Sequence, residues 1–387
     1  MTAVALAFVV APLALAIYCW ILYPLIASCL SSAERAATAS LSERDLPRIS
    51  VVIAAHNAED CLGRALTALV NDDYPSGLRS ILVVSDASHD DTPRIVRTFR
   101  RHNVRLLQTP RRVGKTGAEN LAARHVCSDI VVCTDANVQI ERGSLRALVR
   151  ELRRPDVGVV SGTDVAIASD RALGVGERSY IRAEMWLRRK ESAWSGLVGA
   201  SGCLYAMRRS LFTSDLRPSL TRDFAVVLLA RKYGWRTVAA DGARCRLSAS
   251  IAVRMEYTRK VRTIVQGLET LTYFQDLMSP VRYGRFAFAL FSHKLCRWLI
   301  PLLTPLAVVG GGYLLAMNPI PPLHWAIAFA AALLVPAIGK RSLVAVALYA
   351  LLVQLASLAA WLRFLLGQRI AIWTPTSRAS APVPHSS

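Results

Sequence analysis

Between Thr2 and Ser32 the chain has no charged residue. An apolar run of that length spans a bilayer with some tilt. Nothing ionisable except the amino terminus precedes it, so the basic start of a cleaved signal peptide is missing and a retained anchor over residues 1–32 is expected. The same lack sets aside Ile26-Ala-Ser-Cys29, which otherwise looks like a lipoprotein cleavage site. Paired cysteines are missing as well. None of the eight stands in C-x-x-C spacing, which excludes a zinc ribbon or dithiol redox motif and fits buried, reduced thiols. Acids are scarce, 27 Asp and Glu against 47 Lys and Arg. The resulting net charge of +20 admits nucleic acid, an acidic substrate or an anionic membrane as partner. No nucleic-acid reading element is recognisable, and with apolar spans present the anionic leaflet is the simpler partner.

The hydrophobic residues, 53% of the chain, concentrate at its two ends. Three further spans are expected at Leu299–Met317, Leu323–Ile338 and Leu343–Leu366. The middle one is short and contains Pro336, which suits a re-entrant segment. The Arg/Lys-rich central region belongs on the cytoplasmic side by the positive-inside tendency. One span plus three would put both termini outside, whereas the basic tail Arg363–Arg378 favours the inside, and the pattern leaves this parity open. The expected organisation is an anchor (1–32), an α/β domain (33–255), amphipathic or interfacial helices (256–298), C-terminal membrane helices (299–368) and a tail (369–387). In Glu256–Phe274 the stripe Val261, Ile264, Val265, Leu268 and Leu271 fits either a membrane-interface helix or a core helix.

The middle of the chain alternates strand and helix. Ile49–Asn57, Ile81–Val84, Val104–Leu107 and Ile130–Val138 read as buried strands. Asp60–Asn71 and Ala118–His125 read as helices between them. Val157–Val160, Val165–Ile167 and Cys203–Met207 are further strands, Ala172–Ala193 is a long polar helix, and Thr221-Arg-Asp223 opens another. This is a doubly wound, Rossmann-like α/β pattern. In such a sheet ligands bind beyond the carboxyl ends of the strands. Asn57 and Glu59, Asp86, and Asp135 with Asn137 occupy those positions, and Asp223 follows Gly199-Ala-Ser201-Gly202. A carboxylate such as Asp135 holds a hard divalent cation that bridges phosphate oxygens. Gly114-Lys115-Thr116 invites a phosphate-loop reading, but Thr109 stands where that motif needs its first glycine.

The ordered set Ala-His-Asn57-Ala-Glu59, Ser-Asp86-Ala-Ser-His-Asp, Gly-Lys115, Thr-Asp135-Ala-Asn137, Gly199-Ala-Ser201-Gly202 and Thr-Arg-Asp223 resembles the membrane-bound family 2 glycosyltransferases. These inverting GT-A enzymes include cellulose, chitin, hyaluronan and poly-N-acetylglucosamine synthases. The likeness covers about residues 48–275 and extends loosely through Ser292–Trp298 and Trp373–Arg378. It implies a cytoplasmic GT-A domain (a mixed, doubly wound sheet) flanked by transmembrane helices of an inner membrane. It implies that Asp86 and the Asn57/Glu59 turn contact the nucleoside of a UDP-sugar, with Lys115 and Gly199–Gly202 near the base, phosphates or sugar. Asp135, with Asn137, would hold Mg²⁺ or Mn²⁺, and Asp223 would be the base that deprotonates the acceptor. Arg259, Lys260 and Arg262 would add cations to the diphosphate.

Three positions depart from the family pattern. Asn137 replaces a second metal-binding acid, which lowers the charge at the cation. Arg222 replaces the acid before the base and is expected to lower the pKa of Asp223. Thr263 stands where the family has the tryptophan on which a growing glycan stacks. The expected activity is transfer from a UDP-sugar to a glycan or lipid-linked acceptor in bacterial envelope or exopolysaccharide synthesis, with export subunits as possible partners. The alternatives are a polyprenyl-phosphate glycosyltransferase and a catalytically weakened scaffold.

Overall fold

The computed structural model describes residues 1–31, 46–167, 172–247, 252–317 and 341–372. The expected span Leu323–Ile338, most of the linker after the anchor and the Trp373–Arg378 segment lie outside the described residues. A mixed sheet forms the centre, built from β1 (Ile49–Ala55), β2 (Arg79–Asp86), β3 (Val104–Thr109), β4 (Ile130–Asp135), β5 (Gln139–Ile140), β6 (Val157–Ala166), β7 (Leu204–Arg208) and β8 (Arg236–Leu247). Its order is β3-β2-β1-β4-β7-β6-β8-β5. The first four strands are parallel to one another, and β7 enters antiparallel between β4 and β6. β1 is buried throughout, as its unbroken apolar composition requires for a strand covered on both faces.

The covering helices are α3 (Glu59–Val70), α4 (Thr92–Thr98), α5 (Gly114–Ala123), α6 (Ser144–Leu152), α7 (Ala172–Trp194) and α8 (Arg222–Lys232). Leu62, Leu66 and Leu69 of α3 recur at helical spacing and enter the core on one face of the sheet. On the other face, Ala118, Ala122 and Ala123 of α5 pack with Val52, Val84 and Tyr205.

Two expectations are corrected. The two expected strands are one, β6 (Val157–Ala166), with two register shifts, because Gly158 and Gly162 let it bend without breaking. β8 was not expected at all. Its second half carries the alternation that marks a strand, Ala243, Cys245 and Leu247 buried against exposed Arg244 and Arg246.

Among the described residues, three helical segments are long and apolar enough to cross a membrane: Thr2–Leu30, Pro280–Met317 and Val344–Leu365. The first joins α1 (Thr2–Ile17) to α2 (Tyr23–Leu30) through a π-helical turn, Tyr18–Leu22. The second joins α10 (Pro280–Leu290) to α11 (Arg297–Met317) through another, Phe291–Cys296. It therefore starts well before the expected Leu299. The third lies in α12 (Arg341–Leu365).

α9 (Val253–Tyr273) packs its stripe Val261, Ile264, Val265 and Leu268 against Ala356 and Ala360 of α12. This is the packing expected of a core helix. α12 also meets α7 at Gly176, where an added Cβ would lie 2.5 Å from Cβ of Tyr349 and 2.6 Å from the carbonyl of Ala345. Gly176→Val should therefore force the two helices apart and destabilise the protein by about 1–3 kcal/mol, the usual cost of overpacking. A lowered unfolding temperature of the detergent-solubilised protein checks this.

Candidate active site

Ala54 of β1 pairs with Val84 of β2 and with Asp135 of β4, so the carboxyl ends of the three strands lie side by side. The backbone there is strained, with positive φ at Asn57 (46°) and Ala87 (50°). A cavity of about 930 Å³ opens at this edge and runs to the apolar helices. Asn57, Asp135, Asn137, Gly202 and Asp223 line its sheet end; Trp20, Tyr180, Arg297 and Tyr349 line the other.

Lys115, in the first turn of α5, ties the sheet end together. Its Nζ donates to Oδ1 of Asp135 at 2.5 Å and to the carbonyl of Gly202 at 3.1 Å. A Cβ on Gly202 would stand 3.1 Å from Oδ2 of Asp223, so the bare glycine is what admits that carboxylate. Asp223 lies in the first turn of α8, where the helix dipole favours a carboxylate. Even so, burial raises the pKa of Asp223, with Asp135 pushing the same way and Lys115, Arg188 and Lys294 opposing. Lys115 moves up because Asp135, Glu119 and Asp223 outweigh its burial, so it stays an ammonium.

The donor set fits a divalent cation held jointly with a substrate. Asp135 offers a half-exposed carboxylate, and Asn137 a carbonyl on the same wall. No cluster of three or more His, Cys, Asp or Glu able to hold a metal occurs among the described residues. Two protein oxygens completed by phosphate oxygens and water suit Mg²⁺, which is rarely caged by protein alone.

Residues 50–214 match the sequence model of the family described as Glycosyl transferase family 2. The chain carries a family 2 glycosyltransferase domain. Its relatives include a beta-monoglucosyldiacylglycerol synthase of Trichormus variabilis, 26% identical over 44% of this chain and 37% of that protein. Another is an N-acetylglucosaminyltransferase of Rhizobium meliloti, 28% identical over 50% of this chain and 49% of that protein. The chain thus spans between about a third and a half of the curated relatives it matches. Among solved structures, a mannosyltransferase from Pyrobaculum calidifontis in complex with GDP-Man and Mn²⁺ superposes with a TM-score of 0.71. That match is 22% identical and covers 95% of this chain and 99% of the other, and it establishes the GT-A fold.

Within residues 50–214 and on the helices α8 and α9 that follow, the cavity gathers Asn57, Lys115, Asp135, Asn137, Ser201, Gly202, Asp223, Arg259, Lys260 and Arg262. Asp86, Glu59 and Gly199 are not on its wall. Asp86 is fully buried and accepts hydrogen bonds from Thr109 Oγ1 (3.0 Å), Val113 N (2.8 Å) and Gly114 N (3.0 Å), with Arg112 Nε at 3.3 Å. It holds the turn into α5 and so positions Lys115. Glu59 accepts from the amide of Asp91 at 2.9 Å and fixes the neighbouring turn. Gly199 instead makes room for Lys294, whose Nζ lies 3.4 Å from where a Cβ would stand.

The cationic trio also divides. Arg259 binds Glu256 at 2.6 Å and Glu177 at 3.4 Å, and Lys260 sits 4.4 Å from the ring centroid of Tyr180. Burial, helped by Arg259, pushes Lys260 down to about 8. Burial and Arg259 push Arg262 down to about 10, with the Asp135 carboxylate opposing.

The expected depression of Asp223 by Arg222 is overturned. Arg222 turns away and binds Glu119 at 3.2 Å, its partner equally buried, and also donates to Asn120. Asp223 moves up instead because the cations facing it do not offset its burial. Sequence reasoning also missed Asp164, Arg188 and Lys294, which line the cavity from β6, α7 and the second apolar helix. Only the Ser292–Trp298 resemblance touched any of them. Arg222→Ala should strand Glu119 and cost about 3–5 kcal/mol. Thermal or denaturant unfolding reads that loss.

Proposed function

We propose that this protein is an inverting glycosyltransferase that moves a sugar from a UDP-sugar to a hydroxyl of a glycan or lipid-linked acceptor. The convergence of Asp135, Lys115, Gly202 and Asp223 at one strand edge carries this reading. Asp223 takes the proton of the acceptor hydroxyl. The oxygen attacks the anomeric carbon from the face opposite the diphosphate, and the bond from that carbon to the diphosphate oxygen breaks, its electron pair leaving with UDP. Lys115, held as an ammonium beside Asp135, and Arg262 place positive charge where the diphosphate gains negative charge. Asp135 and the carbonyl of Asn137 would hold Mg²⁺ or Mn²⁺ against the phosphates. When bound, the cation supplies Lewis-acid stabilisation of the leaving group.

The mannosyltransferase solved with GDP-Man and Mn²⁺ supports a nucleotide-sugar donor and a divalent cation. The monoglucosyldiacylglycerol synthase relative supports a lipid among the acceptors. The three apolar helices and the basic central domain support a multi-pass protein of a bacterial inner membrane, its catalytic domain cytoplasmic and its product used in envelope or exopolysaccharide synthesis.

Asp223→Asn should lower transfer from radiolabelled UDP-sugars in membranes by about 10²–10⁴-fold while leaving UDP binding intact. Because burial raises the Asp223 carboxyl, wild-type activity should be present at high pH and fall away on acidification through a value above the ordinary carboxylate range. Calorimetric titration should show Mn²⁺ and UDP strengthening each other's binding in wild type and not in Asp135→Ala. Independent binding in wild type would overturn the proposed cation role, and unaltered transfer by Asp223→Asn the proposed base.

A further inference from the structure

All three apolar helices reach the cavity at the end away from the nucleotide edge. Trp20 comes from the first, Lys294 and Arg297 from the second, and Tyr349 from the third. Trp20 is both 43% exposed and part of the cavity lining, so the cavity reaches the surface at a mouth beside the first apolar helix. Aromatic rings frame it: Trp20 lies 6.5 Å from Tyr180, and Tyr180 lies 5.8 Å from Tyr349. Tryptophan and tyrosine are the side chains suited to a membrane–water boundary.

Between this mouth and Asp223 the wall is cationic, and its acids are already engaged. Glu184 binds Arg188 at 3.2 Å, His293 at 3.1 Å and Arg297 at 3.0 Å, and Glu177 binds Arg259. Two buried guanidinium donors, Nη1 of Arg188 and Nε of Arg297, still lack an acceptor. Lys294 has no carboxylate within 4.0 Å among the described residues, and its Nζ stands over the ring of Phe224 at 5.7 Å, beside Gly199 and the base. A half-buried lysine with no carboxylate in ion-pair contact among the described residues, beside two unmet donors, is a place for an anion.

We infer that this end of the cavity is the acceptor site, entered sideways from the bilayer, and that it takes an amphiphile whose hydroxyl-bearing head is joined to its apolar tail through a phosphate. The phosphate sits at Lys294 with Arg188 and Arg297, the tail leaves past Trp20, and the hydroxyl reaches Asp223. The inference rests on the proposed role of Asp223 as base and adds the acceptor's chemical class. A glycerophospholipid and a polyprenyl-diphosphate-linked sugar share that chemistry.

The full-length protein in phosphatidylcholine nanodiscs can be offered phosphatidylglycerol, a polyprenyl-diphosphate-linked N-acetylglucosamine or uncharged diacylglycerol at equal mole fraction. Lipid retained through native mass spectrometry is counted, and UDP affinity is measured on the same samples. At least one of the two phosphate-bearing lipids should be retained about tenfold over diacylglycerol, and which of the two identifies the source. Lys294→Gln should abolish that preference with UDP affinity unchanged, and Lys294→Arg should keep it. Trp20→Ala, at the mouth where the ring lies 4.5 Å from the Arg297 guanidinium, should weaken retention of the preferred lipid and serves if Lys294→Gln fails to fold. Equal retention of diacylglycerol by wild type, or an undiminished preference in a folded Lys294→Gln, would overturn the inference. Absence of UDP binding together with a preserved lipid preference would instead remove the transferase reading and leave the lipid site standing.

Discussion

The cluster around Glu184 is what makes a single object of the apolar helices and the α/β domain. Glu184 belongs to α7, while His293 and Arg297, which bind it, belong to the second apolar helix. His293 bonds through its other ring nitrogen to Glu191 of α7 at 2.7 Å, and Glu191 in turn accepts from the hydroxyl of Tyr23 in the first apolar helix at 2.6 Å. Burial alone would raise the pKa of Glu184, yet its cationic neighbours hold it well below the usual carboxylate range. Breaking such a buried set by removing one member is expensive, because the remaining charges have no water to turn to. The network therefore fixes the register of two apolar helices against the domain. Lys294, adjacent to His293 in the chain, is thereby directed at the cavity.

The same constraint explains the division of labour at the sheet edge. Charges that face solvent or a substrate are kept few, and those that hold the backbone are sealed inside. Asp86 and Arg222 carry the motif positions but spend their charges on the turn into α5 and on Glu119. Asp135, Lys115 and Asp223 stay on the cavity wall, where their charges act on one another. A residue that matches a family motif is thus either at the reacting end or one layer behind it. Backbone amides hold Asp86 back from the cavity, and Glu119 holds Arg222.

The cavity joins two environments. Its sheet end presents a carboxylate, an amide and cations suited to a diphosphate. Its far end is bounded by rings from helices that are otherwise apolar. Under the proposed transfer, a donor from water and an acceptor from the membrane would meet at Asp223 without either crossing the other's phase.

Much of this was legible in the chain itself. The β-branched runs at Ile49, Ile81 and Ile130, each ending at a polar residue, marked the parallel half of the sheet and the edge that collects the site, because strand periodicity and burial are local properties. The uncharged stretch from Thr2 to Ser32 marked an apolar helix for the same reason. β8 was also written locally, in the alternation from Ala243 to Leu247, and passed unread because its first half lacks that alternation. What only the folded chain decided were the partners of charges. Arg222 adjoins Asp223 in sequence yet binds Glu119, and Lys294 lies far from Gly199 in sequence yet stands against it. Electrostatic energy depends on distance and burial in three dimensions, and neither is carried by position along the chain.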